Sequence, residues 1–137
     1  SKPDKLKEFH MGTNPINLAV RFILEIIALV VFGYWGWNSS EDFLRIILVV
    51  LLPLIAAVLW GTFAVLNDPS RSGKAPIPVS GIIRLILELV FFALAAFALY
   101  ATGNEKYAWI FGSVVLVHYL LSYDRITWLL RQKLPND

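Results

Sequence analysis

Four apolar stretches, each of a length that spans a hydrocarbon layer of roughly 30 Å when coiled into a helix, dictate what this chain can fold into. They cover residues 16–37, 43–66, 78–101 and 107–130. Hydrophobic residues make up 58% of the sequence and the mean hydropathy is positive, well above the roughly 45–50% usual in soluble domains. The expected fold is an all-α polytopic membrane protein, with one four-helix transmembrane domain over residues 11–137. Residues 1–10 are lysine-rich and precede Met11-Gly12, and they read as a vector-derived remnant or a short disordered arm.

The turns set the topology. Asn14 can cap the first helix and Pro15 suits its first position. Gly33-Tyr34-Trp35-Gly36-Trp37 places aromatics where a helix leaves lipid, and the polar turn that follows is too short for anything but an antiparallel neighbour. A mid-span proline commonly kinks a helix, so Pro53 predicts a kink in the second span. Residues 67–81 form the one long loop, and a second short turn at 103–106 makes the last two spans another hairpin. Arg71, Lys74, Arg131 and Lys133 outnumber Lys106 and Arg45, which predicts both termini and the long loop on the cytoplasmic side.

The two hairpins are related. A shift of 63 residues aligns Pro15 with Pro78, Arg21 with Arg84, Leu24 with Leu87, Glu25 with Glu88, Asp42 with Glu105 and Trp60 with Tyr123, without a gap. Two spans per half predicts a pseudo-twofold axis along the membrane normal. Each half thus carries an Arg and a Glu one helical turn apart inside a span, where ionisable residues are rare. At 1.5 Å per residue, Arg21 lies about 7 Å and Glu25 about 13 Å from the start at Ile16.

Arg21, Glu25, Arg84, Glu88, Asp124 and Arg125 are expected to form one polar cluster, with Trp60 at a similar depth. Two readings fit it. Three acids and three bases can neutralise one another and cross-link the helices, or Glu25 and Glu88 can line a cavity that takes a cation, a proton or a polar head group. His118 falls on a helical face with Phe111, Ser122 and Arg125, and reads as a hydrogen-bonded core residue, since a haem would need a second axial ligand. No cysteine is present, which excludes disulfides and thiolate chemistry. No catalytic set, metal-ligand spacing or phosphate loop is found, so no cofactor or metal is expected and an enzyme is the least supported class. The small charge excess flanks apolar segments, and so points to membrane lipid as a partner and away from nucleic acid.

Arg21-Phe-Ile-Leu-Glu25, Gly33-Tyr34-Trp35-Gly36-Trp37, Trp60-Gly61-Thr-Phe63, Ala75-Pro76 and Arg84-Leu-Ile-Leu-Glu88, in this order, resemble the YrdB-like family of small bacterial four-span membrane proteins. The resemblance implies a bacterial inner-membrane protein and carries no activity with it. Three functions are compatible with the residues. The first is binding or transport of a small solute or ion through the Glu/Arg pairs, with a small cationic or lipophilic ligand. The others are a non-enzymatic scaffold or partner subunit, and a lipid- or quinone-type site walled by Trp35, Trp60, Tyr123 and His118. The glycines at 33, 36 and 61 admit close helix contact and hence a homo-oligomer.

Overall fold

Asn14 starts the first helix as its residue type predicts: its Oδ1 accepts from the N–H groups of Ile16 at 2.9 Å and Asn17 at 3.4 Å. The computed structural model describes residues 13–134; the predicted arm at 1–10 lies outside the described residues. Helix α1 runs Pro15–Asn38 and α2 runs Leu44–Thr62. Between them Asp42 accepts from Ser40 Oγ at 2.6 Å and from the Leu44 N–H at 3.0 Å. These bonds, the Ser40 one foremost, hold the Asp42 carboxyl below its ordinary pKa.

Helices α1 and α2 pack closely because Gly36 and Gly33 face the α2 backbone. A Cβ at Gly36 would collide with the Leu48 carbonyl. These two glycines are therefore used inside the chain. Helix α2 continues through Pro53, which lies beside Gly33. It stops at Thr62, four residues short of the expected end, because the chain turns extended. Strand β1, Phe63–Ala64, pairs in parallel with β2, Ile77–Pro78. Proline at 76 and 78 keeps the second segment out of the α region, so the pairing is available and the third helix begins after it.

Helix α3 spans Gly81–Ala101, and α4 spans Glu105–Leu121. The expected last span over 107–130 is not one helix. It is divided at Ser122, whose backbone leaves the helical region and whose Oγ accepts from Asn17 Nδ2 at 2.6 Å. A short helix α5, Tyr123–Arg131, follows and crosses the start of α3. There the Gly81 N–H donates to the Gln132 carbonyl at 2.8 Å, and a Cβ on Gly81 would overlap the Leu129 carbonyl. Gly81→Ala must separate α5 from α3. It is expected to lower stability by about 1–3 kcal/mol, the usual penalty of overpacking. Thermal unfolding in detergent measures this, and a melting temperature equal to wild type would count against the close crossing.

Helices α1 and α3 lie side by side at the centre, with α2 on the flank of α1 and α4 on that of α3. Among the described residues, three helices, α1, α2 and α3, are long and apolar enough to cross a membrane. Helix α4 has 17 residues, about 25 Å of rise. The distribution of polarity is inverted relative to a water-soluble bundle. Val30, Trp109 and Leu120 are 64–68% exposed, whereas Arg84 and Glu88 are fully buried. Continuous apolar exteriors of this kind need an apolar solvent or partner.

Candidate functional site

Glu88 is the centre of the buried charge. It projects from α3 one turn after Arg84, so the helix itself aligns the pair. Its Oε2 lies 2.9 Å from Arg84 Nε, 2.6 Å from Arg125 Nη2 and 2.8 Å from Arg21 Nη2, and its Oε1 accepts from the Tyr119 hydroxyl at 2.8 Å. Burying a lone carboxylate costs several kcal/mol. Here three guanidiniums from α1, α3 and α5 meet it.

Those three cations exceed one anion, and two further acids restore the balance. Arg21 Nε lies 3.3 Å from Glu25 Oε2. Arg125 forms a two-pronged pair with Asp68, at 2.6 Å and 2.9 Å. Three bases and three acids therefore form the cluster, but the third acid is Asp68 and not the expected Asp124. Adjacent residues of a helix point about 100° apart. Asp124 lines a cavity of about 480 Å³ with Pro69, Arg125, Trp128 and Arg131.

Trp60 joins the cluster from the end of α2. Its indole N–H donates to Glu25 Oε1 at 3.1 Å, and the Arg84 guanidinium stacks over its ring at 4.4 Å, a cation–π contact. Arg84 Nη1 also donates to the carbonyls of Trp60 at 2.6 Å and Phe63 at 2.7 Å. The last carbonyls of a helix lack intrahelical partners, so Arg84 completes the C-terminus of α2.

Of the other predicted residues, His118 is buried, as are Phe111 on α4, Ser122 at the break and Arg125 on α5, but the break means that they do not share one helical face. Neither ring nitrogen has a hydrogen-bond partner among the described residues, and the ring packs edge-on against Tyr119. The four residues expected to wall a lipid or quinone site are dispersed. Trp35 packs on Phe97, Trp60 belongs to the cluster, Tyr123 is on the surface, and His118 borders a groove between α1 and α4. Among the described residues no group of His, Asp and Glu is placed to hold a metal.

Sequence reasoning missed Asp68, Tyr119, Asn17 and Ser122. Asp68 reads locally as a turn former, and it does accept the Ser70 N–H at 2.9 Å. Its pairing with Arg125 depends on a residue 57 positions away. Tyr119 carried the better signal, since a tyrosine buried in an apolar helix needs a partner for its hydroxyl.

The two central glutamates differ in access. Glu88 is closed on all sides, while the Glu25 side chain is 22% exposed. Glu25 lines a lateral pocket of about 350 Å³ with Leu18, Arg21, Phe22, Trp60 and Arg71.

Residues 19–116 match the family described as "Protein of unknown function (DUF2568)". The chain belongs to this family. It is also similar to the uncharacterized protein YrdB of Bacillus subtilis (strain 168), with 41% identity over 119 residues, covering 87% of this chain and 97% of that one. The expected membership of the YrdB-like family is thereby borne out. The matched segment holds Arg21, Glu25, Trp60, Asp68, Arg84 and Glu88 and ends before Tyr119 and Arg125. No solved structure matches the chain.

Proposed function

We propose that this chain is a multi-pass protein of the bacterial inner membrane that binds a small solute or ion at Glu25. In this reading α1 to α4 all cross the bilayer as two tandem hairpins, α4 being at the short end of the range for a span. Helix α5 lies along the interface, and both termini and the 65–76 loop face the cytoplasm. Central packing of α1 against α3, each flanked by its own hairpin partner, is what a pseudo-twofold repeat would produce.

The observation that carries the reading is the inequality of two equivalent carboxylates. Glu88 is sealed by Arg125 and Tyr119. Sixty-three residues earlier stand Thr62 and Ala56, which cannot supply a cation or a hydroxyl of that reach. Glu25 is left with Arg21 and Trp60 and with one side open to the pocket. A partly open carboxylate in an apolar chain is a functional group by default.

A scaffold role is favoured by Glu88, whose donors leave it no open position. The two readings separate at Glu25. In purified full-length protein, Glu25→Gln is expected to weaken binding of ethanolamine or a lipophilic amine by about tenfold, a loss of roughly 1.4 kcal/mol. Its cost in folding stability should be about 1–2 kcal/mol, well below that of Glu88→Gln, because Arg21 keeps Glu88 as a partner when the Glu25 charge is lost. Unchanged binding of every such probe would leave only the scaffold.

A further inference from the structure

The pocket beside Glu25 carries charges of both signs. Arg71, on the loop between β1 and β2, lines the same cavity. Its guanidinium is in ion-pair contact with no acid among the described residues, and its Nε is buried without a hydrogen-bond partner. Inside the cluster, three guanidiniums cancel three carboxylates. Arg71 therefore adds an uncompensated positive charge at the mouth. Glu25 has one oxygen held by Trp60 and one facing Arg21, and a carboxylate oxygen accepts more than one donor.

These charges disfavour simple ions of either sign. A bare cation at Glu25 is repelled by Arg71 and Arg21, and a bare anion at Arg71 is repelled by Glu25. A ligand with both charges, suitably spaced, satisfies both walls. The remaining walls set its size and route. Leu18 and Phe22 form the side toward the apolar exterior, where Phe22 is 62% exposed, and Ser70 and Ser72 form the side toward the loop. A volume of about 350 Å³ is at the small end for ligand sites, enough for a head group and not for a whole lipid.

We propose that this pocket binds a zwitterion, with its ammonium against Glu25 and its acidic oxygens against Arg71, and that a phosphoethanolamine head group of a membrane phospholipid supplies it through the Leu18–Phe22 side. The proposal rests on Glu25 being the ligand-binding carboxylate and adds the second charge. A guanidinium matches phosphate oxygens in a charge-assisted geometry that an isolated amine ligand cannot use.

The test uses the purified full-length chain and short-chain phosphatidylethanolamine, phosphatidylglycerol, soluble phosphoethanolamine, ethanolamine and inorganic phosphate, with binding read by calorimetry or native mass spectrometry. Phosphatidylethanolamine is expected to bind at least about tenfold more tightly than phosphatidylglycerol, ethanolamine or phosphate. Arg71→Gln should remove the advantage over ethanolamine, and Glu25→Gln the advantage over phosphatidylglycerol. Arg71 is on a surface loop, so its variant keeps the test valid even if Glu25→Gln folds poorly. Soluble phosphoethanolamine binding as tightly as the lipid would overturn the lipid as source and keep the zwitterion. Ethanolamine binding as tightly as phosphoethanolamine, unaffected by Arg71→Gln, would overturn the zwitterion and leave the Glu25 site standing. Failure of every probe to depend on Glu25 would overturn both.

Discussion

Glu88→Gln is expected to be among the most damaging single substitutions in this chain, costing on the order of 3–5 kcal/mol of stability. The amide keeps the shape but removes the charge that holds Arg21, Arg84 and Arg125 together, all within 2.6–2.9 Å of one oxygen. Three buried guanidiniums then face only Glu25 and Asp68. Thermal unfolding in detergent at matched lipid content, read as an operational quantity because such proteins often unfold irreversibly, should place Glu88→Gln far below both wild type and Glu25→Gln. Equal melting of the two glutamine variants would sink the assignment of Glu88 as the closed centre. The comparison is internal, since the two glutamates sit one turn after an arginine on neighbouring helices and differ mainly in what else reaches them.

Breaking the pair between Asp68 and Arg125 should cost nearly as much, and its effects should not add. Arg125→Leu strands the buried Asp68, which is 2% exposed, and removes one partner of Glu88. A loss of about 3–5 kcal/mol is expected. Asp68→Asn still leaves Arg125 bound to Glu88, so its loss is nearer 1–3 kcal/mol. In the double variant the stranded charge is gone, and the combined loss should fall short of the sum by at least about 1 kcal/mol. Strict additivity would mean that the two residues do not act together. Limited proteolysis gives an independent reading. Trypsin should cut after Arg71 or Lys74 faster in Asp68→Asn, because Asp68 is the tie between that loop and α5.

Where a feature is fixed by local chemistry, the sequence was sufficient to find it. Asn14-Pro15 marks the start of α1, and an arginine four residues before a glutamate must share its helical face. The family resemblance rested on such local groupings. The break at Ser122 is different. Leu121, Ser122 and Tyr123 contain no strong helix breaker, and the bend depends on the bond from Asn17 and on Leu129 seating over Gly81, both from α1 and α3. The early end of α2 is similar. A short apolar run such as Phe63-Ala64-Val65-Leu66 fits helix or strand equally, and its strand partner lies beyond the loop. Asp124 was expected as the third acid from its depth along the last span, whereas the acid that pairs with Arg125 is Asp68, brought in by the loop.

The pairing of each arginine with a glutamate on its own helix has a consequence for biosynthesis. A segment emerging from the ribosome with Arg21 and Glu25, or with Arg84 and Glu88, offers the membrane a neutral unit, because the partners are already one turn apart. Lone charges at the centre of an inserting helix are costly, about 2.5–3.5 kcal/mol each on insertion scales. In the proposed membrane reading, α1 and α3 can therefore each partition before the partner helix exists. The contacts that join different segments, Arg21 to Glu88 and Arg125 to both Glu88 and Asp68, must form afterward, and since Arg125 is made after the other charged members of the cluster, the docking of α5 is the step that closes it.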